Sequence, residues 1–228
     1  MPSADTIMCR MVRPVPSDVL RTARAQDGLI THRQATGGGL PSSGIATMVA
    51  AERWQRLGGG VYATFTGALT DRQRAWRAVL TAGEPAVLGH ESALWAHGLV
   101  QDLPRPVHVV VPAERRRRST AEVTIARSRV ARRSSGRPPR SSLEDAICDV
   151  AGDWALDRLA GLVSAVVRER RTTPARLEHA VRRRSGFTGS ARLRELVHDV
   201  AEGAESALEL RYLRDVERRH GLPRGRRQ

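Results

Sequence analysis

The segment from Ser17 to Ala63 constrains this chain most, because it sets several short, sharply bounded patterns side by side. A helical pattern, SDVLRTARAQ, is closed by Asp27-Gly28. After Leu29-Ile30 comes THRQ, in which Thr31 can cap a helix start and Gln34, three residues on, stands at the capping-box position. The glycines Gly37 to Gly39 break this turn, and a second helical pattern, PSSGIATMVAAER, follows. WQRLGGGVYA then places two strand-like runs around three glycines, which signals a hairpin. Short helices followed by a hairpin predict a winged helix-turn-helix over residues 17–66.

The charge balance says what such a module would meet. The chain has 228 residues, with 38 basic and 24 acidic side chains and a net charge of +14. Every basic residue is arginine, so Schiff-base, phosphate-loop-lysine and nuclease-type lysine chemistry is excluded. An excess of guanidinium groups suits a polyanion, because neutralising phosphates releases counterions. A solvated basic surface is the alternative. No GxSxG, HExxH, Walker A or dinucleotide fingerprint occurs. The expected partner is double-stranded DNA, with no small-molecule substrate, no cofactor and no metal.

Within the predicted recognition helix, from Ser42 or Ser43 to Glu52, Ile45, Met48 and Val49 have the spacing of a core-facing stripe. Ser42, Ser43, Ala46, Thr47 and Ala50 then face outward and leave the helix slim enough for a major groove about 12 Å wide. Arg53, Gln55 and Arg56 are expected to reach the phosphate backbone, and Gly59, among Gly58 to Gly60, to let a wing tip approach it. The preceding turn adds His32, Arg33 and Gln34. The same surface could serve protein contact or dimerisation instead.

Beyond a leader over 1–16 and the module at 17–66, an α+β middle region is expected over 67–140 and a helical region over 141–228. DRQRAWRAVLTA is a helix capped by Thr70, and Val107 to Val111 is the best strand, with Val123 to Ala126 as partner. From Glu114 to Arg140 there are ten arginines against two glutamates, including Arg115 to Arg118 in a row. That run reads as a phosphate-tracking loop or as a solvated hairpin tip. His90 and His97 share a predicted helix face without a third ligand nearby, so a capping or half-buried role outweighs a metal site. Thr173-Pro174 is a helix start with proline in the first turn. Cys9 and Cys148 have no metal-ligand spacing, and no apolar stretch is long enough to span a bilayer. The expected class is α+β, predominantly helical, with a short mid-chain hairpin or sheet, and the expected location is the cytoplasm.

The run DGLITHRQATGGGLPSSGIATMVAAERWQRLGGGVYA resembles the N-terminal module of the AbiEi family of type IV antitoxins. HESALWAHGL, VHVVVP, the basic stretch and SLEDAICDVAG follow in the order seen in actinobacterial chains of that kind. The resemblance implies a transcriptional autorepressor that binds inverted repeats, two protomers to a site, and counters a nucleotidyltransferase-like toxin without touching it. It implies Ser42, Ser43, Thr47, Arg53, Gln55 and Arg56 as the DNA-facing set, on a recognition helix less basic than is usual there. GAESALELRYLRDVERRHGLP resembles the opening helix of a very-short-patch-repair-like endonuclease domain, with Glu205 or Glu209 as a leftover glutamate. The strands that would carry its metal partners do not follow, so nuclease activity is not expected. A truncated or degenerate nuclease is the alternative reading.

Overall fold

The computed structural model describes residues 14–116, 118–184 and 186–202. The C-terminal helix pattern with Glu205 and Glu209 lies outside these residues. The protein is α+β, and its described residues fall into two compact units divided between Thr81 and Ala82.

In the first unit, α1 (Ser17–Ala25), β1 (Leu29–Thr31), α2 (His32–Gly37) and α3 (Ser42–Ala50) precede β2 (Gln55–Gly58), β3 (Val61–Ala63) and α4 (Asp71–Ala82). The left-handed pair Asp27 and Gly28 stops α1, and the Gly28 N–H returns to the Ala23 carbonyl at 2.8 Å. Thr31 caps α2 by accepting from the Gln34 N–H at 3.1 Å, while the Gln34 side-chain oxygen accepts from the Thr31 N–H at 2.9 Å. The predicted capping box is therefore present.

The three strands form an antiparallel sheet in the order β1-β3-β2. Alternation along the strands divides the core. Ile30 and its cross-strand partner Tyr62 face the helices, where they pack with Val19, Ala35, Leu40, Ile45, Met48 and Trp54. Leu29 and Val61 point to the other face and pack against Trp76 of α4. α4 is capped by Thr70, whose hydroxyl accepts from the Gln73 N–H at 3.3 Å.

The second unit contains β4 (Val87–Leu88), α5 (His90–Ala96), β5 (Val107–Pro112), β6 (Val123–Ser128), α6 (Leu143–Val150), α7 (Leu156–Arg168), α8 (Pro174–Arg183) and α9 (Ser190–Ala201). The sheet order is β4-β5-β6. β4 is antiparallel to β5, but β5 and β6 run parallel from Val107↔Val123 to Pro112↔Ser128. A tight hairpin cannot join parallel strands. The reading of Arg115 to Arg118 as a hairpin tip is thus corrected: the described residues of that run, Arg115, Arg116 and Arg118, belong to a crossover connection. The mid-chain element is a sheet.

α6 is the hub of this unit, with α5 and α8 packed against it and α9 against α7 and α8. It begins at Ser142, whose hydroxyl accepts from the Asp145 N–H at 3.2 Å. Apolar burial of Leu143, Ala146, Ile147 and Val150 fixes it. α8 starts as its sequence predicts, with Thr173 accepting from the Arg176 N–H and Pro174 in the first turn. Among the described residues, no helix is long and apolar enough to cross a membrane.

Candidate nucleic-acid interface

α3 divides by side-chain character as its spacing requires. Ile45 and Met48 are each 2 % exposed and Val49 is half-buried, all against the helical core. Ser42, Ser43, Ala46 and Ala50 are exposed and form a strip of small side chains. Thr47 borders the strip, half-buried, and its hydroxyl donates to the Ser43 carbonyl at 2.9 Å. That internal bond uses the hydroxyl proton and leaves the threonine oxygen as an acceptor. His32, the first residue of α2, shares a hydrogen bond with Ser42, the first of α3, at 3.1 Å. The two helix N-termini are therefore tied together at the edge of the strip.

The remaining expected contacts separate into exposed cations and committed side chains. Arg53 and Arg56 are exposed. Arg56 lies over the Tyr62 ring, 5.4 Å from its centroid, which holds its guanidinium above β3. Arg33 is exposed on α2. Gln34 is not an outward reader. Its amide completes the capping box and exchanges hydrogen bonds with Gln26 at 3.0 and 3.1 Å. Gln55 donates to the Gly67 carbonyl at 2.9 Å and so anchors the segment after β3. Gly59 has a different reason from the one expected. It has φ +58°, and a Cβ there would stand 2.6 Å from Thr81 Cγ2. The close approach it permits is to α4. Gly58 and Gly60 have open space where a Cβ would sit, and the Gly60 carbonyl accepts from the His32 N–H at 2.7 Å.

The second unit holds a charged cluster that the sequence reading missed. Asp145 is fully buried, and Arg183 Nη2 donates to both its carboxylate oxygens at 2.6 and 2.8 Å. Asp149 accepts from Arg132 at 2.8 Å and pairs with Arg184 at 2.7 Å. Arg132 also lies 3.3 Å from Asp145, close enough for Coulomb attraction but without hydrogen-bond alignment. One turn further, Asp153 meets His90 Nε2 at 2.8 Å. The four-residue spacing of Asp145 and Asp149 was the available signal, since it puts two carboxylates on one stripe of an apolar helix, with Asp153 in the turn that follows it. Their partners lie far away in sequence, so the stripe alone did not identify them.

The histidines of α5 have separate fates. His90 adopts φ +51° at the helix start, and its ring lies tilted against that of His108 with centroids 4.6 Å apart. Burial, followed by the neighbouring His90, lowers the His108 pKa from its ordinary value. His97 caps the far end and hydrogen-bonds the Ser141 carbonyl at 2.9 Å. Its pKa is lowered mainly by burial, with Arg140 and Arg171 adding to the effect against the Ser141 bond. Burial pushes the Cys148 thiol up to about 12, which leaves it unreactive near neutral pH.

No protein-family model matches this chain, and no curated protein matches it.

Proposed function

We propose that the first unit is a winged-helix DNA-binding module. α3 is its recognition helix, β2 and β3 form its wing, and the protein is a transcriptional regulator of the kind represented by the AbiEi antitoxins. The observation that carries this reading is the strip of Ser42, Ser43, Ala46 and Ala50, exposed along α3 while Ile45 and Met48 anchor the opposite face. A helix without long side chains on its outer face can seat deeply in a major groove, and its serine hydroxyls can bond phosphates or base edges. Arg53, just after α3, and Arg56, on β2, are exposed and supply the nonspecific attraction in this reading. In this reading Gln34, Gln55 and Gly59 shape the module and do not touch DNA. The role requires no catalytic chemistry and places the protein in the cytoplasm, two protomers to an inverted repeat.

A gel-shift titration of the protein on its own upstream DNA, with a scrambled duplex beside it, tests the proposal. Two exposed arginines on phosphate predict a slope of log affinity against log salt of about −2 from this surface. Arg56→Ala should weaken binding to both duplexes alike and reduce that slope by about 1. Thr47→Val should change the ratio between the duplexes. Binding unaffected by either substitution refutes the assigned surface.

A further inference from the structure

The second unit contains a cleft of about 430 Å³ that the DNA-binding reading does not use. Three guanidinium groups line it, from Arg133, Arg171 and Arg176, together with the hydroxyls of Ser134, Ser135 and Ser142. Arg133 is exposed on the loop before α6 and has no ion-pair partner among the described residues. Arg176 uses one nitrogen on Glu144 at 2.9 Å, and its side chain is 63 % exposed, so its other donors remain available. Arg171 is held in place by donating to the His97 carbonyl, and the Glu169 carboxylate, which does not line the cleft, stands 3.9 Å from its other nitrogen.

The floor of the cleft is the start of α6. The Asp145 N–H is taken by the Ser142 hydroxyl, but no acceptor among the described residues takes the N–H of Leu143 or of Glu144, both of which line the cleft. The one carboxylate present, Glu144, is 5 % exposed and already accepts from Thr172 at 2.6 Å and from Arg176. Among the lining side chains the cationic groups therefore outnumber the anionic one.

We propose that this cleft binds a phosphomonoester, its phosphate taken by Arg133, Arg171 and Arg176. The Ser142 hydroxyl is committed, donating to Asp145 Oδ2 at 3.0 Å, but the guanidinium forks, the hydroxyls of Ser134 and Ser135 and two open amides still offer more donors than a carboxylate can accept, and they suit a tetrahedral dianion. The volume exceeds that of phosphate alone and leaves room for a sugar. Apart from His97 the lining has no aromatic ring, so recognition rests on the phosphate and sugar and not on base stacking. The site is independent of the first unit's reading.

Titration calorimetry of the full chain at constant ionic strength tests it, with inorganic phosphate, a nucleoside 5′-monophosphate, and a short duplex with and without a 5′-phosphate. Saturable phosphate binding is expected, weakened about tenfold or more by Arg133→Ala and by Arg176→Gln, each loss equivalent to one charge-assisted contact. Arg53→Ala should leave it unchanged, which separates this site from the proposed DNA surface. Tighter binding of the mononucleotide than of phosphate assigns a free nucleotide as the source. A gain from the duplex 5′-phosphate that Arg133→Ala removes assigns a nucleic-acid end. Absence of saturable phosphate binding, or equal affinity in wild type and both arginine variants, overturns the proposal.

Discussion

Removing the Asp145 carboxylate is the perturbation to which the second unit should be most sensitive. Asp145 is fully buried, and Asp145→Ala strips Arg183 of a two-oxygen acceptor and leaves Arg132 with Asp149 alone. Breaking a buried ion pair from one side costs about 3–5 kcal/mol, because the remaining charge is left unpaired in a poorly solvated site. Two features favour the lower end here. The Arg183 side chain is 31 % exposed and can turn toward water, whereas Arg132, at 7 %, cannot but keeps one partner. The expected cost is about 3 kcal/mol, a fall in Tm of roughly 6–12 °C for a chain of this size. Urea and thermal unfolding followed by circular dichroism would measure it. Arg183→Ala on its own should cost less, and the double variant should cost less than the sum of the singles by about 1–3 kcal/mol, since with Arg183 already absent the loss of the carboxylate no longer strands that guanidinium. A cost below about 1 kcal/mol for Asp145→Ala, or strict additivity in the double variant, would refute this account of the cluster.

Other outcomes follow from the same geometry. Gly59→Ala should destabilise the first unit by about 2 kcal/mol, more than Gly58→Ala at about 1, because both carry a positive φ but only Gly59 meets Thr81; paired urea titrations would show the order. Gln34→Ala should cost about 1–2 kcal/mol by removing a capping box and stranding the buried Gln26, measured as a lower urea midpoint. His97 and His108 have folded pKa values below the ordinary 6.5, so the unfolded chain takes up their protons first as pH falls. Their contribution to stability is complete above pH 6.5 and is lost below it, with a slope of up to about 1.4 kcal/mol per pH unit for each histidine. Unfolding free energies at descending pH should therefore drop below 6.5, and His97→Gln should flatten the drop.

What could be read in the sequence was what local chemistry decides. The Thr31–Gln34 capping box, the Ile45–Met48 stripe, the Thr70 cap of α4 and the Thr173-Pro174 start of α8 each need only residues within about one turn, and each stands as predicted. What could not be read depends on partners distant in the chain. β1 is three residues long, too short for a period, and exists because β3 pairs with it. The parallel direction of β5 and β6 is a property of the crossover between them, on which their own valine-rich pattern is silent. Gln34 and Gln55 look like readers in sequence, but their amides are taken by Gln26 and by the Gly67 carbonyl. Asp145 and Arg183 are separated by 38 residues, and only the packing of α6 with α8 brings them together.

Blocking the small-residue strip of α3 tests the central claim most directly. Ala46 is exposed, so Ala46→Trp should leave the unfolding midpoint of the first unit essentially where it is. If α3 enters a major groove about 12 Å wide, the added indole should reduce affinity for the upstream duplex at least about tenfold in fluorescence anisotropy at fixed salt. Wild-type affinity in a folded Ala46→Trp protein would mean that α3 does not dock there.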